Sequence, residues 1–69
     1  MTQNERILAY VKEFGSITTF EAFSELGITR LAARIYELTE EGHDFERETV
    51  KSKNRLGESI SYTRYSLRG

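Results

Sequence analysis

The feature that most constrains this chain is a change of period at Gly42: before it apolar residues recur at helical spacings in three short runs, and after it they alternate with polar ones. A period near 3.6 gathers side chains on one stripe of a helix, and a period of two gathers them on one face of a strand. The pattern therefore predicts three helices followed by two strands, an α+β arrangement expected to fill residues 1–69 as a single domain.

The helix boundaries are marked by caps. Thr2-Gln3-Asn4-Glu5 is a capping box, in which a hydroxyl and a carboxylate satisfy amides that a helix start leaves unpaired. Ile7, Leu8, Val11 and Phe14 follow on one stripe and Gly15 is a natural stop, so a helix is expected over Gln3–Phe14. Ser16-Ile17 is too short to assign. Thr18-Thr19-Phe20-Glu21 is a second capping box, ahead of the apolar set Phe20, Ala22, Phe23 and Leu26, and this short helix is expected to end at Gly27. Only Ile28 and Thr29 separate Gly27 from the third run, Leu31, Ala32, Ile35 and Leu38, which continues to Gly42. Two helices joined by so tight a turn must cross steeply, which is the helix-turn-helix arrangement.

Beyond Gly42, His43, Phe45, Arg47 and Thr49 fall on one side of an extended chain, and Ser61, Thr63, Tyr65 and Leu67 on one side of another. Lys51 to Glu58 is polar, carries an Asn and a Gly suited to turns, and is expected to be a mobile hairpin tip. The core is expected to gather Ile7, Val11, Phe23, Leu26, Leu31, Ile35, Leu38, Phe45 and Leu67.

Composition narrows the function classes. A 69-residue chain has little room for a deep catalytic cavity. It has no cysteine and one histidine, His43, which alone supplies too few ligands for a metal. No Ser/His/Asp set or glycine-rich phosphate loop is present, so neither an enzyme, a cofactor nor a small-molecule substrate is expected. No apolar run is long enough to cross a bilayer and Met1 to Arg6 lacks the order of a secretory signal, so a cytoplasmic protein without membrane partners is expected.

The net charge of −1 counts mildly against a polyanionic partner. Its distribution points the other way. Met1 to Gly42 carries four basic and seven acidic side chains, whereas Lys51 to Gly69 carries five basic ones and only Glu58.

Gly15-Ser16-Ile17-Thr18, Leu26-Gly27-Ile28, Arg30-Leu31-Ala32-Ala33-Arg34-Ile35 with Leu38, and Tyr65-Ser66-Leu67 together resemble a helix-turn-helix family common in bacteriophages and prophages. The resemblance spans nearly the whole chain. It implies a winged helix, a three-helix helix-turn-helix core followed by a C-terminal β-hairpin wing, that binds DNA in transcription control or site-specific recombination. One departure is the position four before the turn glycine, where stricter repressor-type motifs place a small residue: here it is Phe23, with Ala22 one place earlier.

On the third helix Thr29, Arg30, Ala33, Glu37 and Glu40 point away from the apolar stripe. Arg30 is the leading base-contact candidate, because Arg bonds guanine bidentately and the start of this helix meets base edges in helix-turn-helix docking. Ala33 permits close approach, and Thr29 is open to capping the helix or to reaching a phosphate. Arg34 is open to a phosphate contact or to an ion pair with Glu21, Glu25 or Glu37. Lys51, Lys53 and Arg55 alternate along the tip and are expected to track phosphates or a minor groove, the alternative being a solvated tip whose charges keep an unpaired edge from aggregating. The expected partner is double-stranded DNA, with a weak homodimer on DNA matching the pairing of half-sites by many DNA readers. The rival reading is a protein-interaction module docking through the outward face of helix three, with the acidic residues as its polar rim.

Overall fold

The computed structural model describes residues 1–68, with the elements α1 (Gln3–Phe14), β1 (Ile17–Thr18), α2 (Thr19–Leu26), α3 (Leu31–Glu40), β2 (Phe45–Lys53) and β3 (Ser59–Leu67). The three strands form one antiparallel sheet in the order β1-β3-β2.

Both expected capping boxes form. The Thr2 hydroxyl accepts from the Glu5 N–H at 3.1 Å and the Glu5 carboxylate accepts from the Thr2 N–H at 2.9 Å. The Thr2 backbone N–H foremost, and its hydroxyl after it, hold the Glu5 carboxyl below its usual range. Thr18 and Glu21 repeat the pattern at 3.2 and 2.9 Å. Gly15 and Gly27 close α1 and α2 in the left-handed region, at φ 91° and 69°. After Gly27 the Ile28 N–H returns to the Ala22 carbonyl at 2.9 Å, which swings the chain sharply into α3.

The core comprises Ile7, Val11, Ile17, Ala22, Ile28, Leu31, Ile35, Leu38, Phe45 and Tyr65, with Leu8, Tyr10, Leu26 and Leu67 packed partly against it. Two expectations change here. Phe23 is 60% exposed, because the cap at Thr18 sets the phase of α2 so that Ala22 and Leu26, four apart, face inward. The small residue that helix-turn-helix packing needs is thus Ala22, fully buried, one position earlier than in the stricter motif. The unassigned segment at Ile17 is the second change. Ile17 and Thr18 form β1, pair with Tyr65 and Arg64, and bring the fully buried Ile17 into the core.

The hairpin register runs unbroken from Phe45↔Leu67 to Lys53↔Ser59. Lys51 to Lys53 are therefore strand rather than loop. The tip proper is a turn organised by Asn54, whose Oδ1 accepts from the N–H groups of Leu56 and Glu58 at 2.9 and 3.0 Å, with Gly57 at φ 81°. Only the base of the hairpin carries core side chains; Lys51 to Tyr62 are exposed throughout.

Leu31 and Ile35 are 1% and 0% exposed, so truncating either to Ala is expected to cost about 2–5 kcal/mol in thermal or urea unfolding. Phe23→Ala, at an exposed position, is expected to stay within about 0.5 kcal/mol of the wild type. The Phe23 variant checks the phase of α2, and the Leu31 and Ile35 variants check that of α3.

Candidate nucleic-acid interface

α3 begins at Leu31, so Thr29 and Arg30 precede the helix rather than lying within its first turn. Arg30 occupies the N-cap position with φ −121° and ψ 58°, and no side chain caps this helix, Thr29 included. Both residues are exposed, as are Ala32 and Ala33 behind them. Leu31, Ile35 and Leu38 anchor the opposite stripe in the core, which fixes how these exposed groups are presented. The Arg30 carbonyl accepts from the Arg34 N–H at 3.2 Å, whereas its exposed side chain, at the positive end of α3, forms no hydrogen bond or ion pair among the described residues.

Arg34 is held differently. Its Nη2 donates to Glu37 Oε2 at 3.1 Å, and Glu37 Oε1 in turn accepts from Asn4 Nδ2 of α1 at 3.3 Å. Its side chain is 30% exposed and its Nε is buried without a hydrogen-bond partner. The guanidinium therefore lines the cleft between α3 and the start of α1, together with Thr2, Glu5, Leu8 and Leu38. Of the ion-pair partners open to it in the sequence, Glu37 is the one it meets.

Charge along α3 is polarised. Its first turn has no acidic residue, whereas Glu37, Glu40 and the capping Glu41 crowd its end. Carboxylates at the negative end of a helix deepen the local negative potential, so the start of α3 is its less negative end.

The hairpin sorts its charges by face. Positions of β2 alternate sides, so Phe45, Arg47, Thr49, Lys51 and Lys53 share the face that carries the core residues Phe45 and Tyr65. The register partners on β3, from Leu67 back to Ser59 at every second position, carry no charge. The opposite face holds Glu46 and Glu48 with Arg64 and Arg68, joined by ion pairs Arg64–Glu48 at 3.1 Å and Arg68–Glu46 at 3.2 Å. The acids are thus neutralised on one face, and Arg47, Lys51 and Lys53 stand on the other without an acidic neighbour in the sheet. Lys51 and Lys53, two residues apart, are separated by about 7 Å along the strand. Arg55 lies in the turn beyond them, outside the strand alternation.

Arg47 is a member of this basic row that was not singled out among the sequence candidates. It stands over the Tyr65 ring at 5.7 Å, which holds its guanidinium against the base of the wing. The signal was present in the sequence as the shared parity of Arg47, Lys51 and Lys53.

A family model described as a winged helix-turn-helix domain matches residues 2–69. No curated protein and no solved structure matches the chain. Among the described residues no helix is long and apolar enough to cross a membrane.

The order of the wing tip rests on Asn54. Asn54→Ala removes the acceptor for two backbone amides, and amide exchange at Leu56 and Glu58 is expected to quicken about fivefold, the equivalent of roughly 1 kcal/mol per hydrogen bond. The melting temperature should barely move, because the tip buries no core residue.

Proposed function

We propose, from the premise that this chain belongs to the winged helix-turn-helix domain family, that it binds double-stranded DNA with the start of α3 and the basic face of the wing. The observation that carries the reading is the segregation of charge: a chain of net charge −1 keeps Arg47, Lys51 and Lys53 on one acid-free face of the hairpin and pairs Arg64 and Arg68, on the other face, with glutamates. Affinity for DNA rests on such local positive surface rather than on net charge.

Arg30 enters the major groove and bonds a guanine edge, Ala33 lets the helix approach, and Thr29 reaches a phosphate. Arg34, already engaged with Glu37, contributes less and without sequence preference. Lys51, Lys53 and Arg55 contact phosphates. In keeping with the family resemblance, the role is regulation of transcription or recombination on a phage or mobile element.

The rival reading, docking of a partner protein on the outward face of α3, draws on one observation: Tyr36 is 63% exposed beside Glu37 and Glu40. Titration with mixed duplex DNA at two salt concentrations separates the readings. DNA binding produces amide shifts clustered at Thr29 to Ala33 and along Lys51 to Arg55 that weaken steeply with salt. Scattered or absent shifts favour the protein partner.

Two variants test the residues. Arg30→Ala is expected to lose about 1–3 kcal/mol on the preferred site and to relax specificity at one position, measured by competition against random duplex. Equal losses on both DNAs would reduce Arg30 to a phosphate contact. Changing Lys51, Lys53 and Arg55 together to Ser is expected to weaken all sequences alike and to lower the log–log salt slope by about 0.9 for each phosphate contact removed. A wild-type slope in that variant removes the wing from the interface.

A further inference from the structure

The hairpin has two open edges, and they are not alike. The Arg68 N–H donates to the Asp44 carbonyl at 2.8 Å and the Asn54 N–H to the Glu58 carbonyl at 3.0 Å, at the two ends of one unbroken register. Residues in an antiparallel ladder alternate between turning both backbone groups toward the partner strand and turning both away. The even-numbered residues of β3 therefore bond β2, and Ser59, Ser61, Thr63 and Tyr65 turn their N–H and C=O groups the other way. Tyr65 meets Ile17 of β1 there. Ser59, Ser61 and Thr63 have no strand beside them.

Exposed strand edges invite pairing, and proteins ordinarily protect them with charged side chains. The outer edge of β2 follows that rule, with Arg47, Lys51 and Lys53 along it. The free stretch of β3, Ser59-Ile60-Ser61-Tyr62-Thr63, has no charge at all. Ile60 and Tyr62 are 41% and 37% exposed, and with Phe20, 76% exposed, and Arg64 they line an open groove of about 660 Å³ running beside this edge.

We propose that this edge pairs antiparallel with the same segment of a second copy of the chain, forming a two-fold dimer through a continuous sheet. The inference does not rest on the DNA-binding reading. β1 already occupies the place beside Arg64 and Tyr65, so an added strand has room only along Ser59 to Thr63. The middle of that stretch is Ser61, but an axis there would set Glu58, which the Asn54 N–H bonds in line with β3, in the place beside Arg64 that Thr18 already holds, so the two-fold axis falls on Ile60. Ser59 then faces the second copy's Ser61, and Ser61 its Ser59, each pair exchanging two N–H···O bonds from groups that have no partner strand in one copy. Ile60 meets its own counterpart in a non-hydrogen-bonded pair, where side chains approach most closely. Tyr62 lies across from the second copy's Glu58. Arg64, two residues further along the same face, lies diagonal to that carboxylate and within reach of its long side chain.

Charge complementarity therefore selects a second copy. Glu58 is the one acid from Lys51 to Arg68, and the register that β1 permits brings it, once on each side of the axis, to Arg64, which bonds Glu48 through Nη1 and has its other guanidinium donors left for a second carboxylate. A closed two-fold interface uses both free β3 edges and leaves outside the lysine-guarded β2 edges and the two-residue β1, so assembly stops at two.

A seam of five residues from each copy is small, so the dimer is expected to be weak and to populate between about 10 μM and 1 mM. Sedimentation equilibrium of the whole chain, without DNA, is expected to show the mass rising from one chain toward two across that range. Ser61→Pro removes an N–H that the β2–β3 ladder does not use, at an edge position where proline is tolerated. It is expected to keep the wild-type melting temperature and to weaken association at least about tenfold, as Ile60→Lys should by placing charge at the axis. Thr49→Pro on the guarded β2 edge should leave association unchanged. A wild type that stays monomeric throughout overturns the proposal and leaves the edge to an extended segment of a different protein. So does a folded Ser61→Pro or Ile60→Lys variant that dimerises like the wild type.

Discussion

The structure depends on a two-residue strand. Ile17 and Thr18 pair with Tyr65 and Arg64, and this is where the helical half of the chain is bonded to the hairpin. Ile17 is fully buried, filling the core between α1 and the sheet. Thr18, 7% exposed, pairs as strand and caps α2 through its hydroxyl. A cap fixes the first turn of a helix, and the first turn fixes the phase of the rest. That phase turns Ala22 inward and Phe23 outward, brings Gly27 to the point where the chain reverses, and delivers α3 to the core through Ile28 and Leu31. The presentation of Arg30 and Ala33 is set, several steps later, by a threonine in β1.

The wing is built on a different balance. Near its base Phe45 and Tyr65 bury apolar surface, and beyond Val50 the hairpin is held by ladder hydrogen bonds and by the Asn54 turn. A strand that protrudes from its core has both faces available, and this one divides its charges between them. Ion pairs between exposed side chains add little stability. The pairs Arg64–Glu48 and Arg68–Glu46 matter more for the field they leave behind, since they neutralise one face and leave the other positive.

The same division bears on the edges. Lysines on β2 give that strand a positive surface and also guard its unpaired backbone, whereas β3 carries neither function between Ser59 and Thr63. On the two readings proposed here, one hairpin offers a charged strand to a polyanion and an uncharged strand to a second hairpin. The proposed phosphate contacts and the proposed seam use different side chains.

The sequence by itself determined the elements bounded by local chemistry. Both capping boxes, the glycine stops at Gly15 and Gly27, and the change from helical to alternating period are interactions among near neighbours, so α1, α2, α3 and the hairpin were legible without a fold. The same holds for the parity of Lys51 and Lys53. Only the tertiary structure decided the rest. β1 has no local signature, because two residues become a strand only when β3 lies beside them. Phe23 and Ala22 are equally apolar in a pattern, and which of them faces inward follows from where the pairing with β3 holds Thr18, the residue that caps α2. Arg34 had three carboxylates within reach of argument, and it met Glu37 because Asn4, across the chain on α1, holds that glutamate in place. Partners chosen across long sequence separations depend on how the elements pack, and packing is where local pattern stops carrying information.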